Sequence, residues 1–134
     1  MELTYEHWSQ VPRTGAAWPW KYFVPEEVAC QGTGKLLVNR EFLNNLDNLR
    51  GILAHPVRVL SAYRSAYHNA RVGGAVFSRH LKADAADISI VGQDKIKIRD
   101  TAREAGFTGF GYYQTFLHVD LGRPRDWGKE KWND

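Results

Sequence analysis

The chain has 134 residues, 43% of them hydrophobic and 25% charged, which suits one globular domain over 1–134 and excludes a disordered tail, a collagen-like repeat or a coiled coil. The net charge of +3, spread without any long run of like charges, permits an anionic partner but argues against nucleic-acid binding. A single cysteine, Cys30, excludes a disulfide framework and a multi-cysteine metal site.

The first residues, MELTYEHWSQ, lack the apolar run of a secretory signal, and no stretch is long and apolar enough to span a membrane. The expectation is a chain synthesised in the cytoplasm. Residues 1–35 read as irregular, broken by Pro12, Pro19 and Pro25. Asn39 is a good cap for a helix whose apolar positions are Phe42, Leu43, Leu46, Leu49, Ile52 and Leu53, stopped by Pro56. A strand is expected at 57–62, then a short helix or turn closed by Gly73 and Gly74, then a second strand at 83–90. Asp94 caps a further helix that Gly106 ends, and FTGFGYY and TFLHVDL follow as two strands. This order predicts an α+β fold with a small, largely antiparallel sheet and helices packed to one side. The five tryptophans, Trp8, Trp18, Trp20, Trp127 and Trp132, all lie near the two ends. They read mainly as packing that holds the termini down, with sugar stacking as the functional alternative.

Two segments carry more chemistry than a sheet needs. In SRHLKADAAD, at 78–87, His80 precedes an acid, Asp87, that sits on a strand among alanines. A carboxylate packed so tightly requires a cation or several donors. In FLHVDL, alternation puts Phe116, His118 and Asp120 on one face and Leu117, Val119 and Leu121 on the core face. Two histidines and an aspartate are an economical zinc site with one position open for water. Ordinary surface histidines and salt-bridged acids would produce the same spacing. With a metal bound, Asp120 is placed to accept the water's proton.

The same residues resemble the zinc D-Ala-D-Ala carboxypeptidase family, which includes L-Ala-D-Glu endopeptidases and phage endolysins. Its SxHxxGxAxD signature and later HxD strand are matched by Ser78, His80, Ala83, Ala85 and Asp87, then by His118 and Asp120. SAYRSAYHNARVGGA and GYYQTFLHVD extend the resemblance over 22–125. It implies a fold of the kind shared with lysostaphin-type enzymes and the hedgehog domain. It also implies one Zn2+ held by His80, Asp87 and His118, with Asp120 as general base or orienting carboxylate. Asp84 is a second acid close by in sequence. Arg64 matches an arginine that faces substrate, a structural ion pair being the alternative for it. Ser78 and Tyr112 are carried as substrate-binding residues, although Ser78 also suits a capping role and strand tyrosines such as Tyr112 and Tyr113 often only pack.

Two positions depart from the family pattern. Ala83 replaces the signature glycine, a small-for-small change that fits unless the backbone needs positive φ. Thr115 stands where the branch associated with vancomycin resistance has its glutamate base. The function implied is hydrolysis of an amide bond in the peptide stem of bacterial peptidoglycan, by an endolysin-type L-Ala-D-Glu endopeptidase or D-Ala-D-Ala carboxypeptidase. Such an enzyme is expected to be a monomer and to act at the cell wall or periplasm after holin-type release. The alternative is a metal-binding module without catalysis that binds peptide or protein.

Overall fold

A computed structural model describes residues 2–13 and 15–132. Strand β1 (Glu2–Tyr5) pairs antiparallel with β2 (Leu36–Asn39), running from Glu2 opposite Asn39 to Tyr5 opposite Leu36. Between them lies the one-turn helix α1 (Pro25–Val28). The described residues before β2 are therefore less irregular than the prolines suggest. The pairing partner of β1 lies some thirty residues downstream, beyond any local pattern.

Helix α2 (Arg40–Leu53) starts where the cap predicts, the Asn39 side chain accepting from the Phe42 N–H at 3.3 Å. It buries Phe42, Leu43, Leu46, Leu49 and Leu53. Ile52 corrects the expected stripe: it is 46% exposed, turned off the edge of the apolar face. The helix ends on Ala54 in the left-handed region (φ 64°), before Pro56 is reached. Helix α3 (Ala66–Arg71) is capped by Ser65. Helix α4 (Lys95–Glu104), capped by Asp94, buries Ile98, Thr101 and Ala102 at helical spacing.

The main sheet has five strands in the order β3-β4-β6-β5-β7. These are β3 (Val59–Ser61), β4 (Ala85–Ser89), β5 (Gly109–Tyr112), β6 (Phe116–Asp120) and β7 (Arg125–Trp127). All neighbours are antiparallel except β5 and β7, which are parallel. One face carries Ala86 and Ile88 from β4, Leu117 and Val119 from β6, and Phe110 and Tyr112 from β5, all buried. Helix α4 packs on β6 and α2 on α4, so the two long helices close this apolar side. Helix α3 belongs instead to the segment bordering the opposite face.

The terminal tryptophans divide by role. Trp18, Trp20 and Trp132 are buried, and each satisfies its indole N–H at 2.7 Å, on Phe23 O, Asn44 Oδ1 and Tyr113 O respectively. Trp8 packs at the edge of the same core. Trp127 alone of the five lies on the far face of the sheet, in the cleft described next.

Candidate metal centre

Alternation on the sheet sets two rows of side chains on the face opposite the core. Asp87 of β4 lies opposite His118 of β6, His118 opposite Gly111 of β5, and Gly111 opposite Trp127 of β7. In the next row Ala85, Asp120, Gly109 and Arg125 stand side by side. The glycines of β5 are spatial necessities. A Cβ on Gly109 would overlap the Asp120 carboxylate and the Arg125 guanidinium, and one on Gly111 would overlap the Trp127 ring. With the middle strand bare, Arg125 reaches across to Asp120, and Trp127 lies 5.1 Å from the His118 ring, centroid to centroid.

His80 arrives from a 3-10 turn (Arg79–Lys82). The Ser78 hydroxyl caps that turn by accepting from the His80 N–H at 3.2 Å, and the Arg64 N–H donates to His80 O at 3.0 Å. The His80 Nδ1 atom lies 2.6 Å from Ala62 O. A carbonyl only accepts, so Nδ1 carries the proton and Nε2 presents its lone pair, 3.3 Å from Asp87 Oδ1. On His118 the roles reverse. Nε2 donates to Asp120 Oδ2 at 2.7 Å, and Nδ1 faces Asp87 Oδ1 at 3.0 Å. One donor atom from each of His80, Asp87 and His118 falls within 4.8 Å of the others, an arrangement that could hold a metal ion. The chemistry of the set agrees: each imidazole is oriented by an acceptor on one nitrogen and offers the other.

The electrostatics keep both acids ionised. Burial opposes charge on Asp87, but hydrogen bonds that His118 and His80 donate to it when protonated outweigh it and bring its pKa to about 2. Burial also opposes charge on Asp120. Hydrogen bonds from His118, Arg125 and the Gly122 N–H overcome it and hold that carboxyl well below the usual carboxylate range. For His118 burial disfavours the imidazolium, yet hydrogen bonds to Asp120 and Asp87 raise its pKa.

Asp120 sits differently from a general base. It is wholly buried, and both of its oxygens are engaged twice. Oδ1 accepts from the Gly122 N–H and Arg125 Nη1, each at 2.9 Å, while Oδ2 accepts from Arg125 Nη2 at 2.8 Å and from His118. With both oxygens saturated by protein donors, the geometry does not fit the proton-acceptor role expected for it. The geometry fits the other expectation, a carboxylate that orients His118. Asp84 offers no substitute base, because Arg79 holds it with two hydrogen bonds.

The Peptidase M15 family model matches residues 21–120. The chain belongs to that family. Among curated proteins, it is 38% identical over 95 residues to the probable peptidoglycan L,D-endopeptidase MepK of Haemophilus influenzae, covering 66% of this chain and 50% of that one. It is 36% identical over 93 residues to peptidoglycan L,D-endopeptidase MepK of Escherichia coli, covering 63% and 51%. The zinc D-Ala-D-Ala carboxypeptidase of Streptomyces albus G is 38% identical over 77 residues, covering 54% and 30%. The chain thus spans about half or less of the length of these relatives.

In this M15 chain the donors stand at the floor of a cleft of about 410 Å³. Three arginines line it, and two are already paired: Arg79 with Asp84 and Arg125 with Asp120. Arg64 has no carboxylate partner among the described residues. Its Nη1 donates to Asn69 Oδ1 at 3.0 Å, so its charge faces the cleft uncompensated. Ser78 also lines the cleft, although its hydroxyl is occupied by the cap.

Tyr112 corrects the sequence reading. It points to the core face, 2% exposed, with its phenol donating to Asp126 at 2.7 Å and its ring edge-on to Trp132. Tyr113, one residue on and of opposite parity, lines the cleft instead. The sequence reading also missed β7, and with it Arg125 and the placement of Trp127. A run of three residues, RDW, gives no periodic signal of its own.

Ala83 occupies the left-handed region, φ 57° and ψ 34°, so the signature glycine is replaced at a position that demands positive φ.

Proposed function

We propose that this M15 chain is a zinc-dependent peptidase that hydrolyses an amide bond in the peptide stem of bacterial peptidoglycan. The observation that carries the reading is the convergence of His80, Asp87 and His118 at the floor of a cleft whose remaining free charge is a single guanidinium, Arg64. When bound, zinc supplies a Lewis acid and lowers the pKa of an attached water to about 7.

The chain's own residues do the rest. The Ala62 carbonyl and Asp120 fix the ring orientation of His80 and His118, and both acids stay ionised to balance a divalent cation. Arg64 binds a substrate carboxylate through two parallel hydrogen bonds, which suits a stem peptide rich in such groups. Ser78 fixes the turn that delivers His80. The complete donor set and the uncompensated Arg64 weigh against a module that only binds.

The bond cut is either internal, as the name L,D-endopeptidase describes for the MepK relatives, or C-terminal, as the carboxypeptidase name describes for the Streptomyces relative. Action on the wall as an endolysin-type enzyme is part of the same proposal. Mass spectrometry of purified muropeptides after digestion tests it. Loss of a terminal D-alanine indicates a carboxypeptidase, and a cut within the stem or cross-link indicates an endopeptidase. Intact muropeptides from zinc-loaded protein would overturn the reading. One zinc per chain is expected, lost in His80→Ala and Asp87→Ala.

A further inference from the structure

With Asp87 turned to the donor set and Asp120 saturated, the cleft is lined by no free carboxylate among the described residues. Among the proton donors that line the cleft with Arg64 and Ser78, Tyr113 is the one on the sheet itself whose hydroxyl is fixed by an aromatic neighbour. Tyr113 follows β5 with the parity of Gly109 and Gly111, so it lies on the same sheet face as His118 and Trp127.

Its position is held from three sides. The ring stacks on Phe116 at 4.3 Å between centroids and 9° between planes. The backbone donates to Phe116 O at 3.1 Å and accepts the Trp132 indole N–H at 2.7 Å. The phenol oxygen accepts the Trp127 indole N–H at 3.2 Å. Trp127 is itself fixed against the bare Gly111 and beside the His118 ring. An indole nitrogen only donates, so this bond occupies a lone pair of the phenol and leaves its O–H proton free. No acceptor for that proton exists among the described residues.

From this arrangement we infer that Tyr113 is a catalytic residue, its phenol O–H donating a hydrogen bond to the oxyanion that develops when water attacks the scissile carbonyl. The inference rests on the peptidase reading above. Trp127 is the positioning residue, setting the rotation of the phenol so that its proton faces the cleft. A donor held before the reaction begins costs no reorganisation in the transition state, and such donors are worth ~100-fold or more in kcat.

The test uses zinc-loaded wild type, Tyr113→Phe and Trp127→Phe on purified cross-linked muropeptides. Tyr113→Phe keeps the stacked ring, so melting temperature and zinc content are expected to match wild type. Its kcat is expected to fall ~100-fold with KM changed less than about threefold. Trp127→Phe leaves the phenol but frees it, with an expected fall in kcat of ~10-fold that vanishes in the Tyr113→Phe background. A phosphinate dipeptide, whose tetrahedral oxygens mimic the oxyanion, is expected to bind Tyr113→Phe ~100-fold more weakly than wild type. Cleavage by wild type together with full kcat and unchanged phosphinate affinity in Tyr113→Phe would overturn this inference alone. Absence of cleavage by wild type would overturn the peptidase reading and the inference with it. If Tyr113→Phe does not fold, the kcat of Trp127→Phe decides, and a value equal to wild type overturns the inference.

Discussion

Arg125 and Asp120 are joined by two parallel hydrogen bonds of 2.9 and 2.8 Å that cross the bare backbone of Gly109. The carboxylate they hold is completely buried, and its other partners are the Gly122 N–H and His118 Nε2. A buried carboxylate that loses its cation keeps the desolvation cost and forfeits the compensation. Arg125→Met is therefore expected to destabilise the chain by ~3 kcal/mol, measured by urea unfolding of the zinc-free protein. Because Asp120 orients His118, Arg125→Met and Asp120→Asn are both expected to weaken zinc binding ~10- to 100-fold in chelator competition. Zinc affinity equal to wild type in Asp120→Asn would remove the orienting role.

Ala83 is buried and sits at φ 57°. Glycine there would relieve strain of ~1 kcal/mol. The lost burial of one methyl group and the added freedom of the unfolded chain act in the opposite direction. Ala83→Gly is expected to lie within about 0.5 kcal/mol of wild type with unchanged zinc content. Ala83→Val, branched at Cβ in a region such residues avoid, is expected to cost more than about 2 kcal/mol. Equal unfolding midpoints for the valine variant and wild type would contradict the left-handed assignment.

Asn69 ties Arg64 to the loop that follows α3. Its side chain accepts from Arg64 Nη1 and donates to Ala75 O, both at 3.0 Å, and a Cβ on Gly74 would overlap it. Asn69→Ala releases the guanidinium without removing it. Given the worth of a hydrogen bond to a charged group, KM is expected to rise ~10-fold with kcat changed less than about twofold. A fall confined to kcat would place Arg64 on the oxyanion rather than on a substrate carboxylate.

Tyr112 supplies a pH dependence on the opposite face of the sheet from the metal donors. Burial raises its pKa, and the hydrogen bond to Asp126 adds to the effect, bringing it to about 12 from an ordinary 10.0. The neutral phenol is favoured by the fold, so this contribution is complete below pH 10 and is lost as pH rises toward 12. Stability of the wild type is expected to fall by about 1–2 kcal/mol across that window. Tyr112→Phe should show a shallower decline. Urea midpoints at several alkaline pH values provide the measurement.

Much of this was legible along the chain. Period-two alternation in FLHVDL separated His118 and Asp120 from Leu117, Val119 and Leu121, and caps at Asn39 and Asp94 marked two helices where they form. The donor types at His80, Asp87 and His118 made a metal site one reading, and the resemblance of their motif chose it over ordinary surface histidines and salt-bridged acids. What Asp120 does was not legible in the same way. Its availability depends on how many donors reach it, and the decisive one comes from β7 through a parallel pairing with β5 that no local pattern encodes. The same holds for Tyr113 over Tyr112. Both lie in one strand signal, and the choice follows from the register that sets Gly111 against both His118 and Trp127. Sequence alone determined which residues could bind a metal and on which face they lie. Only the tertiary structure decided which polar groups remain free to act, because hydrogen-bond saturation is a property of neighbours brought together by long-range pairing.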